Sequence, residues 1–70
     1  MNMAGGVVEK VRLSIIDKLT SAGAYSEENA VTPDEANLTL SERGWLIYVV
    51  GGMTSRIRKT PDYRYYLRRT

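Results

Sequence analysis

One segment near the middle of this chain decides which folds it can adopt. Eleven residues from Leu40 to Val50 are mostly apolar and stop at a pair of glycines. Thr39 and Glu42 stand at the spacing of a capping box, and glycine is common just after a helix end. The residues WLIYVV also suit a strand, and two glycines between apolar runs suit a tight hairpin turn. The cap, the length and the glycine stop favour a helix, with a strand as the alternative.

Such a helix would carry apolar residues on two sides. Four of them share one side of a helical wheel: Leu40, Leu46, Ile47 and Val50. Trp45 and Val49 lie nearly opposite. A helix that is apolar on both sides must be buried on both sides. Either the rest of the chain covers both sides, or a partner covers one of them.

A helical pattern also starts at Val7, after six residues that we expect to be disordered. Its apolar stripe has the spacing of an amphipathic helix and comprises Val8, Val11, Ile15, Leu19 and Ala22. Gly23 suits the left-handed residue that ends a helix. Leu13 lies off the stripe, so it is either a single exposed apolar residue or a contact to a second chain.

The segment between these helices predicts a loop, a short extended piece at residues 30–31, and a second helix. Thr32 can cap that helix, Pro33 suits its first position, and Glu35 stands at capping-box spacing from Thr32. A further cap follows at Thr39, so this second helix must be short.

The C-terminal part predicts a β-hairpin. The segments MTSRIRK and RYYLR flank TPDY, in which Pro61 and Asp62 are good turn residues. Alternation places Met53, Ser55 and Ile57 on one face of the first strand. Tyr65 and Leu67 share a face of the second. One face would pack on the helices and leave the arginines outside.

Size and composition limit the function classes. A chain of 70 residues makes a single domain with a small core, expected here over residues 7–68. It has no cysteine and no histidine, which excludes disulfides, thiolate or imidazole metal sites and the commonest catalytic pairs. We therefore expect no enzyme, no metal and no cofactor. The N-terminus lacks a signal-peptide pattern, and the longest apolar run has nine residues, so we expect a soluble cytoplasmic protein.

Charge is distributed unevenly along the chain. Residues 1–42 contain three basic and seven acidic residues, whereas residues 43–70 contain seven basic residues and one acidic residue. An asymmetry of this kind indicates a basic face that could meet phosphate or an acidic partner. The alternative is that the two halves of the fold neutralise each other.

Three segments carry a resemblance to a known family. They are AVTPDEA at 30–36, TLSERGWLIYVVGGM at 39–53 and RIRKTPDYRYYL at 56–67. Together they resemble the small archaeal and bacterial winged-helix (winged helix-turn-helix) domains. The resemblance implies an α+β fold of three helices followed by a two-stranded β-hairpin, the wing. In that family the helix before the wing normally reads the DNA major groove.

The chain departs from the family pattern at two places. Outward positions at the start of the helix before the wing would be Ser41, Glu42 and Arg43, and Glu42 would repel phosphate. Tyr63 stands where the family often has glycine, so the tip of the wing would hold an aromatic residue in a left-handed conformation. The very short second helix is a further departure, and together with the outward residues of the helix before the wing it counts against sequence-specific reading of DNA.

Two functions follow as hypotheses. The first is binding of nucleic acid, DNA before RNA, with Arg68 and Arg69 near the proposed contact residues: Thr39, Ser41, Arg43, Arg56, Arg58, Lys59, Tyr63 and Arg64. The second is a protein-interaction or homodimerisation module without a nucleic-acid role, through Leu13, Trp45, Tyr48 and Val49. The alternative to the first hypothesis is that the basic strand is only a solvated face. The alternative to the second is that Trp45 and Val49 close the chain's own core.

Overall fold

The computed structural model describes residues 3–51 and 55–68, with side chains from residue 6 onward. Helix α1 spans Met3–Ser21 and a 3₁₀ helix spans Glu27–Asn29. Helix α2 spans Leu40–Val49. The hairpin is formed by strand β1, Ile57–Lys59, and strand β2, Tyr65–Leu67. The fold is α+β.

Helix α2 is the element on which the fold prediction depended, and its helical structure is confirmed. The Thr39 hydroxyl accepts a hydrogen bond from the Glu42 N–H at 3.1 Å, and the Glu42 carboxylate accepts one from the Thr39 N–H at 2.7 Å. This is a complete capping box. At the other end Val50 is extended and Gly51 has a φ of +80°, so the chain turns as soon as the helix ends. The strand alternative is wrong.

Helix α1 begins at Met3, four residues earlier than the predicted start at Val7. Glycine lowers helix propensity but does not forbid a helix, and the sequence pattern overstated the effect of the pair at 5–6. The predicted end is confirmed, because Gly23 has a φ of +71° and its N–H bonds the carbonyl of Thr20 at 3.0 Å. Ile15 and Leu19, from the predicted stripe, are fully buried.

The predicted second helix does not form, and the described residues contain two α-helices instead of three. Its capping box is present, with Thr32 and Glu35 exchanging hydrogen bonds at 2.9 and 3.1 Å. The turn stops at Asn37, which has a φ of +59°. The next cap, at Thr39, comes two residues later, so the local signals start a turn but leave no length for a helix.

The hairpin pairs antiparallel, with Ile57 opposite Leu67 and Lys59 opposite Tyr65. Val31 adds a single antiparallel bridge to Tyr65, with N–H to carbonyl distances of 3.0 and 2.7 Å. The extended piece predicted at 30–31 is thus confirmed at Val31. It lies beside β2, so among the described residues β1 forms the free edge of the sheet. Met53, predicted for the first strand, lies outside the described residues.

The core joins α1, α2 and the inner face of the hairpin. Its apolar members are Ile15, Leu19, Ala24, Ala36, Leu38, Leu46, Val49, Ile57, Tyr65 and Leu67. The four apolar residues that the helical wheel places on one side of α2 are not buried together, because Leu40 is 86% exposed and Ile47 is 78% exposed. Leu46 and Val49 point inward together instead, since they stand three residues apart on one helix face.

The lengths and apolarity of the helices bear on membrane insertion. No helix among the residues that the structure describes is long and apolar enough to cross a membrane.

Truncation of the α1 core should have a large effect on stability. Ile15→Ala removes a fully buried side chain and should lower the free energy of unfolding by about 2–5 kcal/mol. Leu13→Ala on the same helix is the control; Leu13 is half exposed, so the loss should be about 1 kcal/mol or less. Urea unfolding followed by circular dichroism measures both. Equal losses would contradict the assigned core.

Candidate nucleic-acid interface

Glu42, which the sequence placed on the outward side of α2, is buried. It is 6% exposed and faces α1. Ser14 donates its hydroxyl hydrogen to one carboxylate oxygen, and the Lys18 ammonium lies 2.6 Å from the other. The same carboxylate accepts the Thr39 N–H. The expected repulsion of phosphate by Glu42 is therefore wrong, because its charge is used within the chain.

The protonation of Glu42 reflects this environment. Burial alone raises the pKa of the carboxyl, but the hydrogen bonds from Lys18, Ser14 and the Thr39 backbone, with the Lys18 charge, outweigh it and lower the pKa to about 2. Glu42 is thus ionised at neutral pH and joins α1 to the first turn of α2.

The other predicted residues at the start of α2 are also largely occupied by the fold. Arg43 donates to the Leu38 carbonyl at 3.1 Å and to the Asp34 carboxylate at 2.5 Å. Thr39 caps the helix with its hydroxyl. Ser41 is exposed. Of the three predicted groove contacts, only Ser41 therefore offers a side-chain hydrogen-bonding group that the fold does not use.

The two cations of β1, Arg58 and Lys59, and Arg56 directly before the strand are placed differently. Arg56 makes one long hydrogen bond, 3.5 Å, to the carbonyl of Arg68, and these two residues pair across the hairpin. Within the described residues the Arg58 side chain makes no hydrogen bond or ion pair. Lys59 is exposed, and its ammonium lies 4.5 Å from the centre of the Tyr63 ring. These three residues form a cationic group that we call the β1 cations, on the free edge of the sheet.

Arg64, predicted with this group, is neutralised locally. Its guanidinium lies 3.1 Å from the Asp62 carboxylate and 3.8 Å from that of Glu35. Surface pairs of this kind contribute little to stability, but they reduce the net charge that a ligand meets. Arg64 is exposed, but its positive charge is already paired with acidic residues, unlike the charges of the β1 cations.

The tip of the hairpin confirms the expected left-handed tyrosine. Tyr63 has a φ of +61°, and its side chain is 67% exposed. Thr60 and Arg64 close the turn with a 2.8 Å backbone hydrogen bond, and the Tyr63 N–H bonds the Thr60 carbonyl at 3.0 Å. The turn thus holds an aromatic ring in solvent at a conformation that normally favours glycine.

The four predicted partner-binding residues do not form one surface. Val49 is 4% exposed and belongs to the core. Trp45 is half-buried and packs against Tyr48, with ring centres 5.4 Å apart. Tyr48 is 69% exposed on α2, whereas Leu13 is half exposed on α1. Because Val49 is enclosed by the chain itself, it is not available to a partner.

Two exposed apolar features were not predicted from the sequence. Leu40 and Ile47 lie in solvent on α2, although the helical wheel places them on the same side as buried Leu46. Beside them a groove of about 310 Å³ separates α2 from the hairpin and is lined by Leu46, Ile47, Val50, Lys59, Tyr63 and Tyr65. The sequence shows that Leu40 and Ile47 share a side of the helix, but no local signal shows that they lie in solvent.

Comparison with known proteins adds no identification. No family model, no curated protein and no solved structure matches this chain.

The Glu42 network should make stability depend on acid. Because the folded pKa lies below the usual 4.5, ionised Glu42 stabilises the fold above that pH, and the contribution is lost as pH falls toward 2. We expect the free energy of unfolding of the wild type to exceed that of Glu42→Gln by about 2–3 kcal/mol at pH 7. This difference should shrink in acid. Urea unfolding at several pH values measures this difference. The control is Glu9→Gln, which removes the carboxylate of an exposed ion pair. A pH-independent difference would contradict the network.

The left-handed Tyr63 should carry a measurable strain. Tyr63→Gly removes a backbone strain of about 1–2 kcal/mol at this φ. Two effects offset part of this gain: the contact with Lys59 is lost, and glycine gives the unfolded chain greater conformational freedom. The net expectation is a small rise in the midpoint of thermal unfolding. Tyr63→Ala lacks both the ring and the conformational freedom, so it should lower the midpoint. The opposite order would show that the turn does not hold residue 63 in the left-handed region.

Proposed function

We propose that this protein binds the phosphate backbone of nucleic acid through the β1 cations. One observation carries the proposal. Four cations elsewhere in the fold have acidic partners: Arg12 with Glu9, Lys18 with Glu42, Arg43 with Asp34, and Arg64 with Asp62 and Glu35. The β1 cations have no acidic partner among the described residues. Arg58 and Lys59 are neighbours on the edge strand and Arg56 directly precedes it, so a polyanion that follows this edge would meet three positive charges.

A winged-helix architecture is part of the same proposal. The order of α1, the Val31 bridge, α2 and the hairpin supports it, as does the sheet in which β2 lies between Val31 and β1. In this version a single turn at 32–37 stands where the family has its second helix. The hairpin then acts as the wing, with the β1 cations along its free edge.

The proposed binding is directed at the backbone rather than at base sequence. Arg43 is engaged with Asp34, and the exposed side of α2 offers the Ser41 hydroxyl among mainly apolar groups. Contacts of this kind supply affinity and position without base readout. Tyr63 adds an exposed ring next to Lys59 on which a base could stack. DNA is the proposed ligand, and phosphate contacts predict that RNA of the same length competes.

Charge reversal at β1 tests the proposal. Arg58→Glu should weaken binding to a labelled short duplex at least about tenfold and should reduce the dependence of log affinity on log salt by about one phosphate contact. Lys10→Glu makes the same charge change on the exposed side of α1 and should have little effect. Fluorescence anisotropy at several salt concentrations measures both.

The double variant Arg56→Glu with Arg58→Glu should abolish binding at moderate salt, with the circular dichroism spectrum unchanged. Two results would overturn the proposal: no binding of duplex or RNA by the wild type at low salt, or an equal loss for Lys10→Glu and Arg58→Glu. The second result would mean that only total charge matters and that β1 is not the site.

A further inference from the structure

The exposed side of α2 is apolar, and no side chain in the part of the chain that the structure describes covers it. Leu40 is 86%, Ile47 is 78% and Tyr48 is 69% exposed, on the side opposite to buried Leu46 and Val49. Ser41 and Gly44 complete this surface, which we call the α2 outer face. It has no charged side chain. Contiguous exposed apolar side chains of this size on a small protein usually mark an interaction surface.

Gly44 lies at the centre of the α2 outer face, and nothing among the residues described in the structure requires glycine there. A Cβ at this position would meet nothing within 4 Å, and Gly44 does not lie among the residues with positive φ. Glycine inside a helix costs about 1 kcal/mol relative to alanine. A small residue at the centre of a helix face allows a second helix to approach closely. This points to a helix that packs across Gly44.

The α2 outer face is complementary to itself. Leu40 and Ile47 flank Gly44 on one side of the face, and Ser41 and Tyr48 flank it on the other. If two copies of α2 cross antiparallel at Gly44, Ile47 meets Leu40 of the second copy and Tyr48 meets its Ser41. Each contact then occurs twice, as a two-fold axis requires. The antiparallel arrangement also opposes the two helix dipoles.

Charge at the edge of this face is complementary in the same arrangement. Arg43 lies on the Leu40 and Ile47 side and holds the exposed Asp34 beside the first turn of α2. Lys59 lies next to Ile47 in the groove at the other end of the helix. An antiparallel pair brings the first turn of one helix to the last turn of the other. Asp34 of each copy therefore approaches Lys59 of the other copy.

We propose that the α2 outer face is the interface of a symmetric homodimer, crossed at Gly44. The exposed apolar area is of the size of a functional patch, about 300–600 Å². This area is smaller than the area of about 800 Å² that each partner buries in a standard stable interface. The dimer therefore exchanges with monomer and forms at high protein concentration. The dimer does not require nucleic acid, so a failure to bind nucleic acid would not overturn it, although Lys59 takes part in both proposals.

Sedimentation equilibrium without nucleic acid, over a dilution series, tests the homodimer. The wild-type mass should rise from 7.9 kDa toward twice that value as concentration increases. Gly44→Leu fills the crossing point, where the folded chain has space, so it should stay monomeric with helix content unchanged or higher. Ile47→Glu should also be monomeric. Leu13→Glu makes the same kind of change on a half-exposed residue of α1 and should still dimerise.

The outcomes separate clearly. A wild type that is monomeric at every concentration overturns the homodimer. A dimer that survives Gly44→Leu and Ile47→Glu but not Leu13→Glu overturns this interface in favour of α1. A charge exchange adds an independent check: Lys59→Asp should weaken the dimer, and Lys59→Asp combined with Asp34→Lys should restore it. Failure of restoration overturns the antiparallel register.

Discussion

The buried Glu42 carboxylate determines how this small fold is arranged. Helix α2 carries large apolar residues all around, so hydrophobicity alone does not choose which side faces the core. Glu42 makes that choice, because its charge can be buried only where Lys18 and Ser14 of α1 reach it. Once Glu42 faces α1, Leu46 and Val49 follow into the core. Leu40, Ile47 and Tyr48 are then left in solvent.

Local signals in the sequence predicted the elements well. The capping box at Thr39, the glycine after α1 and the turn around Pro61 and Asp62 each depend on residues within a few positions of one another, and each forms. The rotation of α2 about its axis could not be predicted in this way. It depends on contacts to Glu42 from residues 24 and 28 positions away in the chain. The failed second helix shows the same limit, since a cap predicts where a turn begins and not how far it continues.

The candidate site shows a similar division. Composition predicted a basic C-terminal half, but not which cations remain for a ligand. That depends on where the acidic residues of the first half come to lie: Asp34 beside Arg43 and Glu35 beside Arg64. Folding thus neutralises two of the predicted cations, Arg43 in α2 and Arg64 after the hairpin turn. It leaves the β1 cations on the opposite edge of the sheet from Val31, where a backbone-directed ligand can reach them.

The two proposals have linked energetic consequences. A domain of this size has little stability in reserve, and any species that binds only the folded state adds stability by mass action. A second copy on α2 would do so through apolar contact, which salt weakens little. A polyanion on β1 would do so through charge, which salt weakens strongly. If dimerisation brings two β1 edges into one assembly, contact of one edge with a strand raises the effective concentration of the other. A weak contact at each β1 edge can then become a stable complex without any new side chain at the nucleic acid, which is why a chain with so little base-reading chemistry could still hold a long polyanion.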